Sequence, residues 1–217
     1  MNLNNYKQIL ETLKPYHAQL IAVSKNQSTE AILSLYEAGQ RIFAENRVQM
    51  LLERKNQLPS DIEWHLIGSL QKNKVRKIAE WICMIHSVDS FELAETIHKA
   101  AIQYNRVIPI LLEIKIGTES EKQGFEYTKL LDSLNDDPWI NLSGVQISGL
   151  MGMASFTEDT HQIQSEFRKL KLHFESIKKL HPEFTAFKEL SMGMSSDYTI
   201  ALEEGSTMVR IGSKLFN

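Results

Sequence analysis

Leu20-Ile21-Ala22-Val23-Ser24-Lys25, residues 20–25, is an apolar run of strand composition ending on a lysine, and Ser28 or Thr29 follows as the start signal of a helical pattern. The same unit recurs along the chain. Short apolar segments at 20–24, 41–44, 63–67, 84–88, 109–116, 144–151, 186–190 and 207–211 are predicted strands. Between them lie helical spacings: Val75, Ile78, Ala79 and Ile82; Ile97, Ala100, Ala101 and Tyr104; and the longer stripe Ile163, Phe167, Leu170, Phe174, Ile177. Asp89 with Glu92 three residues on, and Ser195 or Ser196, are further helix starts. Strand and helix therefore alternate, at about 27 residues per unit, which suits a closed (β/α)8 TIM barrel with tight loops. An open doubly wound sheet is the structural alternative, and in both architectures ligands bind at the carboxyl ends of the strands.

The 217 residues are 42% hydrophobic and 24% charged, which is ordinary for a globular chain, and 24 basic against 27 acidic residues leave a net charge of −3. That balance gives no global attraction to nucleic acid or anionic lipid and favours a small-molecule partner. The run Lys72, Lys74, Arg76, Lys77 lacks interleaved aromatics and reads as a solvated face. No apolar run approaches the ~18 residues of a membrane helix, and MNLNNYKQIL has no export-signal pattern, so a cytoplasmic protein is expected. Cys83, the single cysteine, sits in an apolar run and is expected to be a buried, inert thiol. With 10 Gly and 5 Pro thinly spread and no linker composition, residues 1–217 read as one domain.

In a barrel, chemistry concentrates just after each strand. Lys25 follows the first strand, where it is either a partly desolvated amine able to form a Schiff base with a carbonyl or a solvated strand-end lysine. Glu45-Asn46-Arg47 follows the second, with Asn46 either a ligand donor or a helix cap, and Glu45 and Arg47 able to pair with neighbouring loops. In Trp64-His65-Leu66-Ile67-Gly68, alternation turns His65 into the barrel, as a core or a catalytic histidine, and Gly68 permits close backbone approach. Lys122, in the loop after the fifth strand, either reaches over a ligand or is one more surface charge. Ser191-Met192-Gly193-Met194-Ser195-Ser196-Asp197 opens a helix after the seventh strand, so its N–H groups and the Ser191 hydroxyl can converge on a phosphate, or else form tight turns with caps. The eighth strand leaves by Gly212-Ser213, beside the usual phosphate position of barrels. Arg210 shares a face with Met208, and an inward arginine requires an acceptor, such as a pyridine nitrogen.

The segments Ala22-Val23-Ser24-Lys25, Glu45-Asn46-Arg47-Val48-Gln49, Trp64-His65-Leu66-Ile67-Gly68, Gly149-Leu150-Met151, Leu190-Ser191-Met192-Gly193-Met194-Ser195 and Gly205-Ser206-Thr207-Met208-Val209-Arg210-Ile211-Gly212 resemble the pyridoxal phosphate homeostasis proteins, the YggS/PROSC family. The resemblance runs in order over residues 20–216. It implies a single fold-type III barrel like the alanine racemase N-terminal domain, holding pyridoxal 5′-phosphate (PLP). Carried over residue by residue, Lys25 would be the Schiff-base lysine and Arg210 the partner of the pyridine nitrogen. Ser191, Gly193, Gly212 and Ser213 would hold the phosphate, with Asn46 nearby and Met151 against the ring. Lys122 would make a second, more transient cofactor contact. Gln27, Ala44 and Ser69 depart from the family's usual lysine, glycine and histidine.

A ring whose nitrogen faces arginine receives no proton from it and is a poor electron sink. Racemisation also needs a second acid/base on the opposite face of the ring. The resemblance therefore implies a non-enzymatic carrier that buffers PLP, delivering it to apo PLP-dependent enzymes or salvage. It further implies a monomer or weak dimer, while the charge balance and hydropathy lead to the expectation of no nucleic-acid or membrane partner. The alternatives are a small PLP-dependent amino-acid racemase using His65 or Lys122, and a barrel acting on a phosphorylated sugar through Lys25 without cofactor.

Overall fold

Gln19 stands opposite Met208 and Ala22 opposite Ile211 in a parallel pairing that joins the first strand to the last and closes the sheet. The computed structural model describes residues 3–118 and 123–216. Eight parallel strands follow one another around the barrel in chain order: β1 (Gln19–Val23), β2 (Ile42–Glu45), β3 (Glu63–Leu66), β4 (Met84–Val88), β5 (Ile108–Lys115), β6 (Val145–Met153), β7 (Glu189–Ser191) and β8 (Met208–Ile211). Closure excludes the open-sheet alternative, and every predicted strand is present with its ends shifted by a few residues.

The surrounding helices are α1 (Leu3–Leu13), α2 (Thr29–Glu37), α3 (Val48–Gln57), α4 (Phe91–Gln103), α5 (Tyr127–Asp136), α6 (Thr160–Leu180), α7 (Tyr198–Glu203) and α8 (Ser213–Phe216). Ser28 caps α2 by accepting from the Ala31 N–H, one of the donors a helix start leaves without an internal partner. The predicted stripe of α6, Ile163, Phe167, Leu170, Phe174 and Ile177, is buried throughout. Each such side chain contributes roughly 1.5–3 kcal/mol by leaving water.

The strands are buried on both faces. Their outer face joins the helices in the main core, while Ile21, Ala44, Met84, Leu111, Met151 and Met208 form a separate cluster inside the barrel. Two buried faces explain the near-continuous apolar runs of the sequence. β6 changes parity: Ile147 and Leu150 both pack outward, and the register against β5 slips between these positions. Gly149 makes this irregularity possible, with φ at +154° and no room for a side chain, since a Cβ there would lie 1.7 Å from the Glu189 carbonyl oxygen.

Three local expectations are corrected. Val75, Ile78, Ala79 and Ile82 are fully buried, but their segment is a 3-10 helix over Lys72–Lys77 followed by turns, because i, i+3 spacing serves the tighter helix as well. The cap of α4 is Ser90, accepting from the Leu93 N–H, in place of Asp89, and Tyr104 is an exposed C-cap. α7 starts at Tyr198 after Asp197, so neither Ser195 nor Ser196 caps it. α1, which the strand-led reading left out, buries Tyr6, Ile9 and Leu13. Lys72, Lys74, Arg76 and Lys77 are exposed, as expected of a solvated face. Among the described residues no helix is long and apolar enough to cross a membrane.

Candidate functional site

A cavity of about 600 Å³ opens at the carboxyl ends of the strands, a size suited to a small organic ligand. Lys25, Asn46, Arg210, Gly212 and Ser213 line it together with Met153. Five of the predicted binding residues are thereby brought to one place from β1, β2 and β8.

Lys25 stands at the mouth on an anchored loop. The Ser24 hydroxyl donates to Glu45 Oε1 at 2.7 Å, and Arg54 of α3 faces the same oxygen at 3.8 Å. Arg54 also donates to the Gln27 carbonyl and, at 3.1 Å, to Thr29 Oγ1. Burial raises the Glu45 pKa, against the opposing pull of the Ser24 hydroxyl and of Arg54 and Lys25. Glu45 thus pairs with its neighbours as expected, while Arg47 is exposed. Lys25 itself is exposed, which matches the solvated strand-end alternative over the partly desolvated one.

Gly68 lets two strand exits touch. A Cβ at this position would lie 2.2 Å from the Asn46 carbonyl oxygen, so glycine is required for Asn46 to sit beside the third strand. The Ser87 hydroxyl donates to the Gly68 carbonyl at 2.6 Å and fixes that approach.

Arg210 is 4% exposed, and it supports the cavity from inside the barrel. Nη1 donates to Ser191 Oγ at 2.6 Å and Nη2 to the Gly152 carbonyl at 3.1 Å. Beneath it, His86 Nδ1 is 3.0 Å from Ser191 Oγ, and His86 Nε2 is 3.0 Å from His65 Nδ1. Burial holds both imidazoles neutral, taking His65 to about 3 and His86 well below its ordinary value. Glu113, also buried, is raised to about 7 by desolvation, partly opposed by Arg210.

At the far end, Ser195 Oγ accepts from the Gly212 N–H at 3.3 Å and the Lys214 N–H at 3.4 Å. These bonds join the loop after β7 to the start of α8, beside Ser213. The structure places three of the predicted binding residues away from the cavity lining. Ser191 is fully buried and occupied by Arg210 and His86. Gly193 packs against Ala201 and Tyr198 of α7. Met151 is in the interior cluster, and Met153, one pleat further, lines the cavity instead. Lys122 lies outside the described residues.

His65 points into the barrel as predicted, but it lines a second cavity of about 460 Å³ at the amino ends of the strands, with Glu63 and Gln146. Cys83 lines that lower cavity too, so it is partly exposed where a buried thiol was expected; burial and the nearby Glu63 still raise its pKa. The reading of strand exits missed His86, Glu113 and Arg54. The signal for the first two was a lone polar residue inside an apolar strand, at Ile85-His86 and Leu112-Glu113-Ile114. Among the described residues no His/Cys/Asp/Glu cluster could hold a metal ion.

Over residues 3–217 the chain matches the family described as "Alanine racemase, N-terminal domain". The pyridoxal phosphate homeostasis protein of Aquifex aeolicus (strain VF5) is 38% identical over 201 residues, covering 92% of this chain and 86% of that one. Its namesake in Synechocystis sp. (strain ATCC 27184 / PCC 6803 / Kazusa) is 36% identical over 214 residues, 97% and 95% of the two chains. PipY of Synechococcus elongatus PCC7942, solved with PLP bound, is 37% identical with a TM-score of 0.89 and 99% of both chains covered. The alanine racemase of Clostridium difficile 630 gives a TM-score of 0.76 at 15% identity, covering 99% of this chain and 56% of that one, a likeness of fold.

Proposed function

The chain belongs to the alanine racemase N-terminal domain family and, within it, to the pyridoxal phosphate homeostasis proteins, and from that premise we propose that it binds PLP in the strand-end cavity. The residues present fit that molecule at three points. Lys25 offers an exposed primary amine at the mouth, Arg210 offers guanidinium N–H groups that are not taken by Ser191 or Gly152, and the Ser195 and Ser213 hydroxyls stand beside Gly212 as donors for a phosphate. Asn46 and Met153 line the same cavity and would contact the cofactor there.

Lys25 binds covalently: its amine condenses with the aldehyde to form a C=N bond and release water, a reversible step that lets hydrolysis free the cofactor. When bound, PLP supplies an electron sink for amino-acid chemistry. This chain does little to use it. The observation that carries the carrier reading is the cavity lining, where Lys25 and Arg210 are, among the described residues, the only charged side chains and no carboxylate, histidine, tyrosine or cysteine joins them as a second acid or base. Arg210 keeps its proton, and His65 lies in the other cavity. The reading is therefore a cytoplasmic protein, monomeric or weakly dimeric, that holds PLP and releases it to apo-enzymes or salvage without turnover.

The test is borohydride reduction of protein incubated with PLP, followed by peptide mass spectrometry. A pyridoxyl adduct on Lys25 that disappears in Lys25→Ala supports the site, and no uptake of PLP by the wild type overturns it. Exchange of amino-acid α-protons at a turnover rate would replace the carrier by an enzyme.

A further inference from the structure

The interior of the barrel holds a hydrogen-bonded line from Arg210 through Ser191 and His86 to His65. Its direction follows from chemistry. Arginine has only donors, so Ser191 Oγ accepts from Arg210 Nη1. The single Ser191 proton then goes to its other partner, His86 Nδ1 at 3.0 Å, which must be unprotonated to accept it. His86 consequently carries its hydrogen on Nε2 and donates it to His65 Nδ1, leaving the His65 hydrogen on Nε2, toward the lower cavity. The opposite tautomer of His86 would leave a buried hydroxyl proton without a partner, at a cost that favours the first arrangement.

We propose that His86 is a positioning residue for PLP binding: by accepting from Ser191 it fixes the serine lone pair on Arg210 and so sets where the guanidinium meets the cofactor's ring nitrogen. This rests on the PLP reading above. Arg210 is pinned on both arms, by Ser191 and by the Gly152 carbonyl, and only the first arm depends on a side chain that can rotate. The charged or titratable groups facing His86 are His65 and Arg210, with Glu113 nearby on the Arg210 side.

Two measurements decide it. Long-range nitrogen–proton correlation spectra of the full-length, cofactor-free chain read the tautomers directly; His86 and His65 both protonated on Nε2 is the expected result, and a hydrogen on His86 Nδ1 overturns the proposal. His86→Leu is then expected to weaken PLP retention at least tenfold and to shift the absorption band of the bound cofactor, with the adduct still on Lys25. His86→Asn, whose Oδ1 can take the Ser191 proton, restores most of both. Unchanged affinity and spectrum in His86→Leu overturn the proposal, and if that variant does not fold the wild-type tautomers still decide. A wild type that takes up no PLP refutes the underlying reading, a result separate from the tautomer assignment.

Discussion

The Ser24 hydroxyl donates to Glu45 Oε1 across 2.7 Å, and that bond clips the end of β1 to the end of β2 directly below Lys25. Arg54 completes the clip, with its side chain 9% exposed and that of Glu45 fully buried. Removing the carboxylate in Glu45→Ala leaves the Ser24 hydroxyl with only the longer 3.2 Å bond to the Ala44 carbonyl and leaves Arg54, still bonded to Gln27 and Thr29, without a counter-charge, and is expected to destabilise the fold by about 2 kcal/mol in urea unfolding. Glu45→Gln, which can still accept from Ser24, should lose clearly less; equal losses would show that the clip contributes nothing.

Gly68→Ala sets a methyl carbon 2.2 Å from a backbone oxygen of Asn46, and neither side is free to swing away because Ser87 holds the Gly68 carbonyl. An overpacking cost of about 2 kcal/mol is expected, with weaker PLP retention since Asn46 lines the cavity. Thermal melting and a PLP titration check the two halves separately.

Glu113 makes stability depend on pH in a defined direction. Its folded pKa, about 7, exceeds the ordinary 4.5, so between these values the folded state binds the extra proton and stability falls as pH rises. The full difference corresponds to about 3 kcal/mol at 1.36 kcal/mol per unit. His65 and His86 act in the opposite sense: their folded values are depressed, so they withdraw stability as pH falls below the ordinary 6.5. Glu113→Gln should therefore gain on the wild type progressively from pH 4.5 to 7 and by a constant amount above. A flat difference across that range in denaturant titrations contradicts the assignment.

Arg210→Lys tests the fork. A single ammonium cannot span Ser191 and the Gly152 carbonyl while also facing a ligand, so retention of PLP should fall at least about tenfold, or 1.4 kcal/mol. Binding equal to the wild type, measured by equilibrium dialysis, would remove Arg210 from the site.

Cys83 offers a control on the lower cavity. Its thiol, raised by burial, should react with disulfide reagents more slowly than a free thiol at neutral pH, and the adduct should leave PLP uptake at the opposite end unchanged.

Residues that leave the strands were legible in the sequence because a strand end is marked by composition alone: Lys25 after an apolar run, Asn46 and Gly68 after the next two, Gly212-Ser213 after the last. For residues within a strand, alternation assigns the inward face and leaves the depth along the barrel open. Ser191 was assigned to the phosphate and lies in the interior, four positions before Ser195, whose hydroxyl accepts the N–H groups at the start of α8. Met151 and Met153 share an inward face and differ only in depth along the barrel, which periodicity does not report.

The order of elements, the barrel and the set of strand exits follow from local pattern, since propensity, period and caps act over a few residues. What only the tertiary structure decided is which buried polar groups meet. His86 and Ser191 are 105 residues apart, and their bond exists because closure of the sheet brings β4 and β7 across one interior. In that low-dielectric space a polar group must find its partner, and the partner is set by depth and direction inside the barrel.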